Sequence, residues 1–163
     1  MYLLDSNTFI EAKSKHYNMM FCPAYWDWID SRHAAGVVNS ISMVYDELID
    51  YGDELSEWAR ARKSLFLAVE DEQTQMAYVE VVQYVSDLPN AREIEKAKFL
   101  SKADPWLIAK AITRGSVLVT HESLAPDNTT KVKIPNVCAN FGVEYLNTYS
   151  LLTALQASFV LGP

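Results

Sequence analysis

Four carboxylates, Asp5, Glu47, Asp104 and Glu122, stand at positions from which they could act together in binding a divalent cation. Asp5 directly follows the apolar run Tyr2-Leu3-Leu4, and Glu122 lies two residues beyond Thr120, where the run Ser116-Val117-Leu118-Val119-Thr120 ends. Asp104 precedes Pro105 in a sequence that starts a helix, with Asp expected as N-cap and Pro at the first helical position. Glu47 belongs to a helix whose apolar residues are Val44, Leu48 and Tyr51. At about 100° per residue it falls roughly 60° from Val44, whereas Asp46 falls roughly 160° away. Glu47 therefore borders the buried stripe and Asp46 faces water. Carboxylates gathered at one rim repel one another unless a cation joins them. Mg²⁺ or Mn²⁺ suits such a set, because hard cations take oxygen ligands and keep several waters. Such an ion can make water nucleophilic and neutralise charge on phosphoryl oxygens. Each acid also has an ordinary explanation: a helix cap for Asp104, a post-strand turn for Asp5, a solvated charge for Glu47 and Glu122. Their order and placement together carry the weight.

The elements that would position these acids alternate along the chain. A strand at Tyr2-Leu3-Leu4 gives way to a turn at Asp5-Ser6-Asn7 and a helix with Phe9, Ile10 and Lys13. Pro23 opens a helix over 24–35 that Gly36 breaks, and 37–40 reads as a second strand. Ser40 or Ser42 is expected to cap the next helix, which ends at Gly52. Residues 53–100 read as mostly helical, with Leu55, Trp58 and Leu65 on one apolar stripe, Met76, Val79 and Val82 on another, and a break at Leu88-Pro89-Asn90. The β-branched stretch 79–85 fails to alternate, which favours helix over strand. The helix from Asp104 ends at Arg114-Gly115, and strand 116–120 follows. A short helix over 135–141, a strand over 143–146 and a helix over 148–157 complete the chain. Strands separated by helices indicate an α/β fold with a central parallel sheet of about four to five strands and helices on both faces. Ligands of such sheets sit outside the carboxyl ends of the strands, which is where the four acids are expected.

Composition narrows the class. A chain of 163 residues, 50% hydrophobic and 12% aromatic, is expected to form one domain with a full core over 1–163. No run is apolar enough to span a membrane, and the start Met1-Tyr2-Leu3-Leu4-Asp5 lacks an export signal, so a cytoplasmic protein is expected. Cys22 and Cys138 are too few and too widely spaced for a zinc site or a disulfide framework. The net charge of -7 repels nucleic acid as a whole, so any such contact has to be local. Lys13 and Lys15, after the Asp5 turn, and Lys131 and Lys133, before the last helices, are the candidate phosphate contacts. Tyr25, Trp26 and Trp28 fit a core or partner interface better than base stacking. His121 is a candidate proton carrier or metal-site neighbour, although an ordinary surface role explains it better, and His16 and His33 have no evident partners.

Asp5-Ser6-Asn7, Glu47-Leu48, Ala103-Asp104-Pro105-Trp106-Leu107-Ile108-Ala109 and Val119-Thr120-His121-Glu122, in this order, resemble the PIN-domain family. The likeness spans nearly the whole chain and implies a PIN-like α/β/α sandwich. It further implies a metal-dependent ribonuclease, commonly the toxin of a VapC-type toxin-antitoxin pair. The family's acids then fall on Asp5, Glu47 and Asp104, its small polar residue on Asn7 and its threonine on Thr120. Many members have Thr-x-Asp where Thr120-His121-Glu122 carries a longer glutamate, and Asp127 is an alternative fourth acid. The resemblance implies RNA as substrate, Mg²⁺ or Mn²⁺ as cofactor and an antitoxin protein as partner. The sequence leaves the oligomer open, with a homodimer among the options. Two other readings compete. One is a PIN-like domain that binds RNA or protein without cutting. The other is a haloacid-dehalogenase-like phosphatase, which Leu3-Leu4-Asp5-Ser6-Asn7-Thr8 resembles but for the second aspartate required where Asn7 stands.

Overall fold

In a computed structural model that describes residues 1–160, the chain alternates strands and helices around one parallel sheet. Strand β1 (Tyr2–Leu4) leads into α1 (Ser6–Glu11), which continues as a wider π-helical turn (Ala12–His16). Helix α2 (Pro23–Ala34), β2 (Val38–Ile41), α3 (Ser42–Ile49) and α4 (Glu54–Arg60) follow. A 3₁₀ turn (Lys63–Leu65) then enters β3 (Phe66–Leu67). The second half contains α5 (Glu72–Ser86), α6 (Glu93–Leu100), α7 (Asp104–Arg114), β4 (Val117–Val119), α8 (Ile134–Phe141), β5 (Tyr145–Leu146) and α9 (Thr148–Ala154).

The sheet order is β3-β2-β1-β4-β5, and every pairing is parallel. Right-handed crossovers place α1 to α4, which connect strands in one direction, on one face, and α5 to α8, which connect them in the other, on the opposite face. Packing follows that division: α1 lies on α3 and α3 on α4, while α5 lies on α7 and α7 on α8. Covered on both sides, the central strands bury nearly everything they carry. Leu3, Leu4, Val38, Ile41, Leu118 and Val119 all belong to one contiguous core cluster. Tyr25 and Trp26 of α2 are core residues too, so they are unavailable for stacking on bases. Trp26 donates from Nε1 to the Tyr17 carbonyl at 2.7 Å and meets Trp58 edge to face.

Several local expectations change. Residues 66–67 form a strand within the segment read as helical, because a two-residue edge strand is too short to show alternation. The break around Pro89 and the helix over 79–85 are present, but the buried face of α5 is Thr74, Ala77, Val81 and Val85. Met76 and Val79 point to solvent. The small Thr74 and Ala77 suit the close approach of α7, where Tyr78 stacks on Trp106 and Lys110 is buried against Asp71. Asp71 also caps α5 through the Thr74 amide. Lys110, and then Thr74, hold the Asp71 carboxyl far below the usual carboxylate range. Neither Ser40 nor Ser42 caps α3: the cap residue is Ile41, and the Ser40 hydroxyl instead donates to the Leu4 carbonyl at 2.6 Å, tying β2 to β1. Tyr51, expected on the α3 stripe, lies beyond the helix and is exposed. Strand β5 and helix α9 are shorter than expected. Cys138 is a buried free thiol, pushed up to about 12 by burial, and Cys22 is half-buried and free. Among the described residues no helix is long and apolar enough to cross a membrane.

The assigned face of α5 is testable with two valines. Val81→Ala is expected to cost about 2 kcal/mol by opening a cavity in a closed site, whereas Val79→Ala stays within about 0.5 kcal/mol of wild type. Urea denaturation checks both, and equal losses would place the helix in a different rotation.

Candidate functional site

The chain leaves β1 and β4 in opposite directions along the sheet, so a crevice opens between their carboxyl ends. That switch point is where open parallel sheets bind ligands. Asp5 sits in it. Its backbone N–H donates to the Val119 carbonyl at 3.0 Å, and the Thr8 hydroxyl donates to the same oxygen at 3.1 Å. The Asp5 carboxylate is completely buried and accepts hydrogen bonds from the hydroxyls of Thr120 (3.1 Å) and Ser6 (3.3 Å) and the amide of Asn7 (3.4 Å). Asn7 and Thr120 thus lie on Asp5 itself. Burial pushes the carboxyl up to about 6, and the charges of Glu122 and Glu47 add to the rise that the Thr120 and Asn7 bonds oppose.

Asp104 is the first residue of α7 rather than its cap, which is Ala103, and its carboxylate makes no capping bond. Among the described residues nothing donates to it. Burial again leads in pushing it up, to about 8, and the negative charges of Asp5, Glu122 and Glu47 raise it further, against Lys102. The capping explanation for this aspartate therefore fails, and an acid at a helix start without a partner is left facing the other acids. Glu47 does part of the capping in its place, because its Oε1 accepts from the Ala103 N–H at 2.9 Å and so lets α3 hold the start of α7. As the helical geometry of α3 requires, Glu47 is half-buried and Asp46 exposed.

Glu122 shares the site electrostatically but is already engaged, by Lys133 at 3.0 Å and the Ile134 N–H at 2.8 Å. Asp127 is exposed in the following loop and lines a different cavity. The lysines divide in the same way. Lys13 pairs with Asp53, the exposed Lys15 with Glu11, and Lys133 with Glu122. Lys131 is exposed without an ion pair among the described residues. A cavity of about 160 Å³ beside Asp104 and Glu122 is walled by Lys131, Lys133 and two further lysines, Lys98 and Lys102. Neither of those two is among the residues expected from sequence. Lys98 follows only from knowing how α6 lies, whereas Lys102, two residues before Asp104, is close enough along the chain to have been found.

His121 is largely covered rather than a surface group. Its Nε2 lies 2.9 Å from the Thr148 hydroxyl, and its Nδ1 lies 4.0 Å from Glu11. Burial depresses this imidazole, although Glu11 opposes the shift, while His16 and Lys15 reinforce it. His33 bonds Asn39 and Ser64, and His16 packs near Tyr149 and His121.

Asp5 and Asp104 form the kind of donor set a small hard cation uses, because Mg²⁺ is commonly held by one or two carboxylates with waters completing the shell. Among the described residues no group of three or more His, Cys, Asp or Glu is arranged to hold a metal ion. Glu47 and Glu122 would join a closed ligand set only by releasing the Ala103 amide or Lys133. That leaves Asp5 and Asp104 as the two carboxylates not committed to a cation or a backbone amide of this chain.

A parallel α/β sheet with one buried aspartate, Asp5, and half-buried acids around it at its switch point defines the class structurally. By sequence the chain belongs to the family described as Domain of unknown function (DUF4411), whose family model matches residues 2–159. No curated protein and no solved structure matches the chain.

Asp5 and Asp104 keep protons in the folded chain that the unfolded chain releases near 3.8. Ion-free stability therefore falls as pH rises from about 4 to about 8, and Asp104→Asn flattens the upper part of that fall. Mn²⁺ is expected to raise the melting temperature of the wild type at the high end and to leave the variant nearly unmoved. Thermal denaturation across pH, in EDTA and in Mn²⁺, reads both effects. Parallel curves for the two proteins would contradict the assignment.

Proposed function

We propose that the chain is a Mg²⁺- or Mn²⁺-dependent endoribonuclease that hydrolyses phosphodiester bonds in single-stranded or loop RNA. The observation that carries this reading is the pair Asp5 and Asp104, two carboxyls raised by burial and by the charge of neighbouring acids, at the switch point of a parallel sheet. A fold that only needed stability would not keep that repulsion. The resemblance of the ordered acids to PIN domains supports the reading. It also suggests a toxin restrained in the cytoplasm by an antitoxin protein.

Asp5 and Asp104 would hold the ion. The bound cation would supply a water acidic enough to attack phosphorus and a positive charge for the phosphoryl oxygens. Asp5 is fixed for this by Thr120, Asn7 and Ser6, and Asp104 is fixed through the Glu47 contact to Ala103. Thr120 acts as a positioning residue, since its hydroxyl holds Asp5 Oδ2. Lys131, exposed on the wall of the cavity beside Asp104, would meet a phosphate of the bound strand. A second reading, a domain of the same fold that binds RNA or protein without cutting, draws on Glu47 and Glu122 both being engaged within the chain.

Cleavage of a structured RNA separates the readings. Wild type with Mn²⁺ is expected to cut, while Asp5→Asn and Asp104→Asn fall to the level seen in EDTA. Thr120→Val loses about 10- to 100-fold, as for other residues that orient a metal ligand. Equal cleavage by wild type and both aspartate variants would mean a contaminating nuclease and defeat the proposal. Mn²⁺-independent RNA binding without any cleavage would favour the non-catalytic reading.

A further inference from the structure

Beyond the acids, two cavities share one wall. The smaller, about 160 Å³, is bordered by Lys98, Lys102 and Lys131, all exposed and without an ion pair among the described residues, and by three acids, of which Glu95 is paired with Arg92 and Glu122 with Lys133, leaving Asp104 at its edge. Across the segment Lys131-Val132-Lys133 lies a second cavity of about 390 Å³, bordered by Tyr84, Leu88, Pro89, Leu124 and Val137. Their sizes and linings differ in a useful way. Pockets for drug-sized organic ligands run from roughly 300 to 1,000 Å³ and are mostly apolar, which describes the second cavity. The first is too small and too charged for such a ligand, but it suits an anion of phosphate size. Its three lysines without an ion pair outnumber the one unpaired acid, Asp104, so this rim runs against the overall net charge of -7.

We infer that the two cavities form a subsite for one nucleotide of a single strand, flanking the bond cut at Asp5 and Asp104. Lys98, Lys102 and Lys131 hold its phosphate, and the apolar cavity receives its base. The identity of the strand rests on the nuclease reading, while its path and the side chains that hold it come from the two cavities alone. The wall common to both cavities joins them as sugar and phosphate join a base. Base pairing would keep a base out of the second cavity, so a duplex fails to fill the subsite. Groups at the edge of the cavity that can meet a base include the Asn90 side-chain carbonyl, the Asp127 carboxylate and the hydroxyls of Tyr84 and Thr129. The Asn136 amide is already engaged with both backbone groups of Ala125.

Binding of a short labelled single-stranded RNA, followed by fluorescence anisotropy in EDTA over a range of salt, tests this without cleavage. Lys98→Ala/Lys102→Ala is expected to weaken binding about tenfold and to lower the salt slope by about 0.7 for each phosphate no longer neutralised. Both residues are exposed, and the melting temperature verifies that the fold is kept. Scanning one abasic position along the RNA should reveal a single position where wild type loses about tenfold, in line with the removal of one base from its cavity. Ala139→Trp, on the exposed rim of the second cavity, should abolish that position's effect. Unchanged affinity and slope in the lysine variant would overturn the phosphate site, and a flat abasic scan would overturn the base cavity. RNA binding with this pattern in a protein that never cleaves would uphold the subsite and sink the nuclease reading. Metal-dependent cleavage with lysine variants of wild-type affinity would do the reverse.

Discussion

Register between β1 and β4 is the constraint on which the site depends. Leu4 pairs with Val119, which brings the Asp5 N–H to the Val119 carbonyl and sets Thr120, the next residue, within hydrogen-bonding distance of the Asp5 carboxylate. A one-residue slip in β4 would turn Thr120 to the other face and replace it beside Asp5 with an apolar side chain or with His121. The same slip would bury the wrong set of side chains along the strand, so the core opposes it. Electrostatics alone would spread the acids apart, and it is burial of Leu3, Leu4, Leu118 and Val119 that holds them at one edge.

Helix α7 transmits the same rigidity to Asp104. Its first turn is held by Glu47 through Ala103, its middle by the Lys110 contact to Asp71, and its last turn closes at Gly115 in the left-handed conformation. A carboxylate at the first position of a helix also gains from the partial positive charge there. That gain is smaller than the rise caused by burial and by three neighbouring acids, as the direction of its shift records. Position is thus imposed by contacts remote from the acid itself. The cost of crowding shows in the raised carboxyls of Asp5 and Asp104.

Much of this was legible from residue types, for reasons that also explain the failures. The strand Tyr2-Leu3-Leu4, the breaks at Gly36 and Gly115, and the half-buried placement of Glu47 follow from periodicity and turn chemistry, which are local. The parallel sheet with helices on both faces followed from alternation of elements. Phe66–Leu67 did not, because two residues at a sheet edge carry no period. The rotation of α5 was missed because exposed Met76 and Val79 are more hydrophobic than buried Thr74 and Ala77, whose size matters for the approach of α7. At the site, Asn7 and Thr120 were readable as neighbours of acids in sequence. The pairings Lys13 with Asp53 and Lys133 with Glu122 were not, since they depend on how loops return across the sheet.

Pairing decides which charges matter to an anion. Beyond about 8 Å at physiological ionic strength a charge is largely screened, so the net excess of acid does not determine whether a phosphate can approach one rim. What determines it is whether a cation at that rim is already engaged. Lys13, Lys15 and Lys133 are neutralised by carboxylates of this chain, whereas Lys98, Lys102 and Lys131 have no such partner among the described residues. The free cations lie to one side of the aspartate pair, on α6 and on the loops beside α7 and α8. If a polyanion lies across the crevice, as proposed, these lysines would attract it from that side, giving the site a direction as well as a place.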